Sequence, residues 1–428
     1  MKQNDCLRLK GFYENELTNH ILSFWLPRCH DEEYGGYVNC FDNEGKELVS
    51  YDKYTWSQGR FLWIFSRLAR TELTLFSEVE RKKFLELARD GKEFLMKHCL
   101  IDTVDVRCTF LMERDGRPKY VDGCNVLDMS IYADCFVVLG MAQYALAAGD
   151  AEAYRFGKKI FESILIRVAS GEFYTLPYPL SKEYRAHGIP MILLNVAKEL
   201  HDAAVKFEPE YCTRLKRLVE EFSEDILTHF ADEKGTIHEI ITVDNQWIEG
   251  LLGQHANPGH TIEDMWFMMD ASDLLQKPYM VPRILQIVDK ALTIGWDEEH
   301  GGLLHFTDVN GGQPNECLAR TAEPMECQVV EGWGDKLWWI HSEALYTTLL
   351  CYFRSGQEAF WQWHEKVFEY VFQVFPNTDP EIREWKQIRN RDGSPQDKVV
   401  ALPVKDPFHI IRNLILILEL LEKEGRRK

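Results

Sequence analysis

The sequence predicts an all-α protein, a closed toroid of helical hairpins, and three observations point there. Apolar residues recur at helical spacing from one end of the 428-residue chain to the other, and alternation of the strand type never outlasts a hairpin. The helical segments alternate in character: stretches such as IYADCFVVLGMAQYALAA, PMILLNVAKEL and PFHIIRNLILILELL are apolar nearly all round, as helices buried on every side must be. Their neighbours, ERKKFLELARDGKEFLMKH and PEYCTRLKRLVEEFSEDIL, carry a charged face. An inner helix followed by an outer one, repeated about six times, describes a ring.

In chain order, helical periodicity predicts elements near 10–27, 56–71, 78–99, 130–149, 151–168, 187–205, 208–229, 258–275, 281–295, 337–355, 358–375 and 406–423. Between them lie short β signals, GGYVNCFDNEGKELV, VRCTFLMERDGRPKYV, GTIHEIITVDNQWI, GGLLHFTDVNGG and EWKQIRNRDGSPQDKVV, each a tight turn flanked by apolar residues that reads as a hairpin. ERDGRP (113–118) and NRDGSP (390–395) look like two copies of one device. No linker or low-complexity tract divides the chain, so residues 1–428 are expected to form one domain.

Composition excludes several classes. Lys and Arg total 49 against 68 Asp and Glu, a formal charge of -19, which sets the chain's own field against nucleic acid and anionic membranes. Eleven cysteines without paired CxxC spacing signal neither a disulfide framework nor structural zinc. The opening residues lack an apolar core of the signal-peptide type, and the longest purely aliphatic run, Leu414 to Leu418, is too short to span a bilayer. A cytoplasmic location is expected. Phosphate-binding glycine loops, HExxH, GxSxG and EF-hand patterns do not occur.

What chemistry remains sits near the starts of the apolar helices. In NPGHTIEDMWF, His260 falls in the first turn of a helix, with Glu263 at i+3 on the same face. A helix N-terminus disfavours imidazolium, so such a histidine is suited to act as a base; a His-Glu pair that merely satisfies the helix start is the plain alternative. In PVKDPFHIIRN, His409 repeats the setting and is either a second partner across a cavity or a satisfied core histidine. In KLWWIHSEAL, His341 and Glu343 stand at i and i+2, so at most one of them points fully into a site. Trp339 one turn before Glu343 suits sugar recognition, although paired tryptophans more commonly serve a core. Arg60 inside an apolar helix needs an internal counter-ion or a ligand oxyanion. Asn195, Tyr132 and Asp134 are further polar groups in apolar helices.

At GGYVNCFDNEGK, YDKYTWSQGR, SIYADCF, PMILLNVAKEL, NPGHTIEDMWF, KLWWIHSEAL, EWKQIRNRDG and FHIIRN the chain strongly resembles the N-acylglucosamine 2-epimerase family, from about Gly35 to Arg412. The family includes N-acetyl-D-glucosamine 2-epimerase, cellobiose 2-epimerase and sugar isomerases. The resemblance implies an (α/α)6 barrel, catalysis by His260 and His409, oxyanion stabilisation by Arg60, and accompanying carboxylates at Glu263 and Glu343. Asn195, Trp338, Trp339 and Trp385 are then expected to bind substrate or line its cavity. No metal or other cofactor is required on this reading, and no glycine-rich block of the kind linked with nucleotide activation in some relatives is present. A small sugar is the expected partner and a homodimer the expected assembly. Departures from the family pattern are Asp264-Met265 in place of a small pair, FHIIRN for FHVPR, and a segment at 306–332 that reads as an insertion. The implied reaction is C2 epimerisation of an aldose, in the first place N-acetylglucosamine with N-acetylmannosamine. Its rivals are an aldose-ketose isomerase of the mannose/fructose type, a cellobiose-type 2-epimerase, a glycoside hydrolase with two central carboxylates, and a non-enzymatic protein-binding module.

Overall fold

The computed structural model describes residues 3–102, 104–320 and 323–426. Twelve long helices dominate these residues: α1 (Gln3–Asn15, prolonged by a π-helical stretch Glu16–Leu22 and by Ser23–Trp25), α2 (Thr55–Arg70), α3 (Glu78–His98), α4 (Ile131–Ala148), α5 (Ala151–Ser170), α6 (Gly188–Phe207), α7 (Cys212–Asp225, prolonged by Ile226–Phe230), α8 (Pro258–Leu275), α9 (Val281–Gly295), α10 (Trp338–Ser355), α11 (Glu358–Val374) and α12 (Phe408–Arg426). The even-numbered helices touch one another in sequence and α12 returns to α2, closing an inner ring; the odd-numbered ones pack outside it. This is the (α/α)6 barrel.

Local chemistry sets many of the boundaries. Ser77 and Glu80 form a reciprocal capping box that opens α3, and the Asp150 carboxylate accepts the Glu152 and Ala153 amides that open α5. α4 is long and apolar enough to cross a membrane, but it is an inner helix here, with 78% of that apolar window buried within the ring. Its closest neighbour is α2. A Cβ on Gly59 would lie 2.4 Å from the Phe136 carbonyl, so only glycine lets these two backbones touch.

The predicted hairpin turns are present, and GGYVNCFDNEGKELV pairs its own strands, Cys40–Phe41 with Leu48–Ser50, but strands of the others are recruited for another purpose. Lys53–Tyr54 pairs with Leu111–Met112, Tyr184–Ala186 with Ile240–Thr242, His255–Ala256 with Thr307–Asp308, and Lys336–Leu337 with Ile388–Arg389, all antiparallel. In every pair the first strand leads directly into an inner helix: α2, α6, α8 or α10. The long loops therefore clamp the N-terminal ends of the inner helices to one rim.

Two of those clamps explain the repeated RDG fragments. Lys53 Nζ donates to Asp31 Oδ2 (2.9 Å) and to the Gly35 and Arg114 carbonyls, while Arg114 grips Asp31 with Nε and Nη2 at 3.0 and 2.9 Å. Lys336 likewise donates to Asp297 Oδ2 (3.1 Å) and to the Gly301 and Gly302 carbonyls, and Arg391 grips Asp297 at 2.8 and 2.9 Å. Both lysines are fully buried, two residues before α2 and α10. A third buried lysine, Lys405, bonds Glu384 (2.7 Å) and the Asn43 and Trp385 carbonyls just before α12.

Residues 306–320 and 323–332, in the segment that reads as an insertion, pack over this rim. Phe306, Met325 and Val329 build a small apolar cluster with Ile240, Leu251 and Leu252, and Gln328 Nε2 donates to the Pro177 carbonyl at 2.8 Å.

Candidate active site

The first turns of all six inner helices converge on one cavity of about 110 Å³. Its lining includes Trp56 and Arg60 of α2, Tyr132 and Phe136 of α4, Met191 and Ile192 of α6, His260 and Glu263 of α8, Trp338 and Trp339 of α10, and His409 of α12. His260 and Tyr132 also line an adjoining, larger cavity of about 590 Å³ walled by Tyr178, Phe173, Leu193, Phe306 and Met325.

His409 is held from both sides. Its Nδ1 lies 2.7 Å from Glu343 Oε1 and its Nε2 lies 3.1 Å from Arg60 Nη2. A guanidinium can only donate, so Nε2 must accept, and the network assigns the proton to Nδ1, where Glu343 receives it. Glu343 is one of the best-satisfied groups in the protein: Oε1 also accepts from Arg412 Nη2 (2.6 Å) and Asn413 Nδ2 (2.7 Å), and Oε2 from Trp266 Nε1 (2.8 Å). Burial alone would push its carboxyl up, but Arg412 and the bond from His409 overcome that and hold it below the usual carboxylate range. Glu263 accepts from the same Arg412 nitrogen. Glu263, Glu343 and His409 place ligand-type atoms within 4.8 Å of one another, a spacing that suits a cation, and Arg412 Nη2 donates to both carboxylates of the set.

Arg60 pairs with Asp406, and the rings of Trp56, Phe136 and Phe408 lie 5.0, 4.2 and 5.0 Å from its guanidinium carbon. Asp406 in turn receives the Phe408 amide at 2.8 Å, which fixes it at the start of α12. The Arg60 Nε–H has no acceptor among the described residues. A guanidinium that lines the cavity is what a developing oxyanion needs.

His260 takes its place through Asn257, whose side chain caps α8 by accepting the His260 amide at 3.1 Å, and through Pro258 in the first turn. Its Nδ1 bonds Glu239 Oε1 at 2.7 Å, and no hydrogen bond to Nε2 is formed by any described residue. Trp339 neighbours both histidines, with ring centroids 5.4 Å from His260 and 5.7 Å from His409. The imidazoles can therefore be no further apart than the sum of those distances.

The structure departs from expectation at several residues. Glu263 does not pair with His260 despite the i+3 spacing; it turns to Arg412, and the partner of His260 is Glu239. Trp385 does not line the cavity. It is 1% exposed, donates Nε1–H to Glu16 Oε1 (2.7 Å) and packs on Phe375 and Phe372, behind Lys405. Asn195 is buried on α6 without a side-chain hydrogen bond among the described residues and is not part of either cavity wall. His341 serves the core, its Nδ1 donating to the Leu337 carbonyl (2.7 Å) and its Nε2 accepting the Leu303 amide (2.9 Å), while Glu343 holds His409. Asp134 is paired internally with Arg167 at 2.5 Å. Sequence reasoning missed Glu239, Asp406 and Arg412 as functional residues. Arg412 lies in FHIIRN one turn after His409, where an arginine in an apolar helix was the available signal; Glu239, in a loop hairpin, offered none.

A family profile described as N-acylglucosamine 2-epimerase (GlcNAc 2-epimerase) matches residues 35–412. The chain belongs to that family. N-acylglucosamine 2-epimerase of Mus musculus is 30% identical over 98% of this chain and 94% of its own length, and cellobiose 2-epimerase of Bacteroides fragilis is 24% identical over 96% and 98%. Among solved structures, a sugar epimerase from a ruminal bacterium superposes with a TM-score of 0.76 at 19% identity, covering 96% of this chain and 99% of that one, a likeness of fold. This family member is a sugar 2-epimerase, an isomerase, and the geometry around His260 and His409 is the place to look for its chemistry.

Proposed function

We propose that the protein interconverts C2 epimers of an N-acylated hexosamine, N-acetylglucosamine with N-acetylmannosamine, by proton transfer between two histidines. The observation that carries this reading is that His260 and His409, both neighbours of Trp339, line one cavity with Arg60. In the open-chain sugar the C2–H bond breaks and its proton passes to one imidazole Nε2. The electron pair forms the C1–C2 double bond of a 2-acylamino enolate, with charge on O1. The second histidine, entering as imidazolium, then protonates C2 from the opposite face. Each turnover exchanges the protonation states of the two rings, and solvent restores them. Glu343 and Glu239 hold the respective Nδ1 atoms and so aim both Nε2 atoms at the cavity. Arg60 stabilises the enolate oxygen; losing one such donor typically costs about 2.7–4 kcal/mol of barrier.

Two things support an N-acyl substrate: the relative at 30% identity is named for that activity, and the about 590 Å³ cavity beside His260 has room and an aromatic wall for a substituent on C2. The test is incubation with N-acetylmannosamine, N-acetylglucosamine, mannose and cellobiose in D2O, followed by NMR. Deuterium at C2 of the N-acyl sugars, with the epimer as product, is the expected result. A ketose product labelled at C1 would instead reveal aldose-ketose isomerisation. His260→Asn and His409→Asn should each abolish epimerisation; either variant keeping near-normal turnover with an intact fold refutes the two-histidine scheme.

A further inference from the structure

Behind His260 a buried row of groups runs on from Glu239 to two, His187 and Asp264, that the scheme above leaves unused. Glu239 Oε1 bonds His260, and its second oxygen, Oε2, lies 3.5 Å from His187 Nδ1, an ion-pair separation rather than a tight hydrogen bond. His187 Nε2 in turn lies 2.8 Å from Asp264 Oδ2. His187 and Asp264 are fully buried and neither lines a cavity wall. The row runs from α8 through the residue preceding α6 and back to α8, and the His187 amide also donates to the Glu239 carbonyl at 2.9 Å. Asp264 is the residue that stands where the family pattern has a small side chain.

We propose that His187 and Asp264 are positioning residues for His260: Asp264 holds a cationic His187 ring on the far side of Glu239, and that fixed counter-charge tempers the field of Glu239 at His260 and keeps Glu239 locked on Nδ1 of His260 while Nε2 faces the cavity. This rests on the reading of His260 as a catalytic acid and base. Burial opposes a charge on His187, but Asp264 on one side and Glu239 on the other overcome it and raise its pKa to about 10. Burial also pushes Asp264 up from its ordinary value. The His187 ring lies against two carboxylates and Asp264 against one imidazole, so the proton stays on His187. Glu239, by contrast, is held well below the carboxylate range; burial works against this, and His260 and His187 overcome it.

Other titratable groups around His260 do not duplicate this role. His255 and His305 are buried and pushed down, His305 to about 3, and so stay neutral. Burial pushes the phenols of Tyr132 and Tyr178 up, and both stay protonated. On α8 itself Glu263 is bound to Arg412, and across the cavity the Arg60 charge is paired with Asp406.

The sign of the effect follows from the charges. When His187 becomes neutral, Glu239 keeps its charge without a counter-charge, and its stronger field at His260 favours the protonated ring. The base form then appears only at higher pH. His187→Gln is expected to move the acidic limb of the kcat/KM profile up by about one pH unit, with a smaller change in KM than in kcat. Asp264→Asn removes the close partner of the buried His187 ring, at 2.8 Å, and leaves only Glu239 at 3.5 Å; the desolvated ring then gives up its proton and the same limb should move in the same direction, which covers the case in which the first variant folds poorly. Solvent-deuterium entry at C2 of N-acetylmannosamine, followed from pH 5 to 9, reads the limb, and nitrogen-15 shifts of His260 read whether its proton stays on Nδ1. If both variants fold and keep the wild-type limb and the wild-type His260 shifts, the pair only joins α6 to α8 and the proposal fails. His260→Asn in the same assay separates the two levels: if that variant retains exchange, the catalytic reading itself is wrong, whatever the His187 variants do.

Discussion

Replacing Asp31 by asparagine removes one charge from a buried three-residue lock, and the structure says what should follow. The Asp31 side chain is 1% exposed and that of Lys53 0%. Without the carboxylate, the Lys53 ammonium is left with the carbonyls of Gly35 and Arg114 at 2.6 and 2.8 Å and no counter-ion. Leaving a buried charge unpaired in this way typically costs about 3–5 kcal/mol. Lys53→Met removes the opposite partner, and the double variant K53M/D31N removes both charges, so it should be more stable than the sum of the single effects by at least about 1 kcal/mol. The pH dependence has a definite sign. Burial opposes ionisation, but Arg114 and Lys53 overcome it and lower the Asp31 pKa from 3.8 to about 2. A depressed carboxylate contributes stability above its unfolded value and loses it as pH falls through the folded one. The gap between wild type and D31N should therefore narrow between about pH 4 and pH 2, by about 1–2 kcal/mol once the partly exposed Arg114 is discounted for solvent screening. Urea unfolding followed by circular dichroism reads these differences, or unfolding half-lives at one temperature where refolding fails. Because the lock stands two residues before α2, D31N should also lower kcat by displacing Arg60. A D31N penalty below about 1 kcal/mol at pH 7 would mean that water reaches the lysine and that the lock is no stronger than a surface pair.

Asp297→Asn should behave as D31N does, since Lys336 and Arg391 reproduce the geometry, and unfolding midpoints of the two variants measured side by side check the equivalence. Arg412→Leu leaves Glu263 and Glu343 buried without their shared cation; a loss of about 3–5 kcal/mol in urea unfolding and near-complete loss of C2 exchange are expected. Gly59→Ala forces a methyl group into the Phe136 backbone, so α2 and α4 must separate; about 1–3 kcal/mol of destabilisation, with activity falling because Arg60 is the next residue, is expected by the same unfolding assay and by turnover.

Much of this architecture is legible in the sequence because burial leaves a period. All-apolar segments such as 131–148 have no face for water, and charged-face segments such as 78–98 have one, so inner and outer helices separate on pattern alone. His260, His409 and Arg60 are legible for the opposite reason, as polar groups at the starts of helices that otherwise tolerate none. Partners are a different matter. Local spacing predicts His260 with Glu263, but Glu263 lies beside Arg412 of α12, and a buried guanidinium attracts a carboxylate more strongly than a neutral ring on its own helix does. Glu239 sits 21 residues before His260 in a hairpin whose strand partner is 184–186, a contact no local period encodes. Trp385 is aromatic and near the right elements, yet its indole N–H is spoken for by Glu16, a residue 369 positions away.

Why the chemistry should sit at this rim and not at the other follows from the direction of the inner helices. All six begin at the cavity, so all six N-termini, each equivalent to roughly half a positive charge, face the same small volume. Four carboxylates, Glu239, Glu263, Glu343 and Asp406, lie in or behind this region, and each is bound to a cationic group or a histidine. Anions are thus tolerated there, and the one species in the proposed reaction that must be stabilised transiently, the enolate, is an anion. At the opposite end the same dipoles would present carbonyl oxygens and raise the barrier. The strand clamps and the buried lysines before α2, α10 and α12 serve this arrangement, because a field built from helix ends acts on the transition state only while those ends are held still.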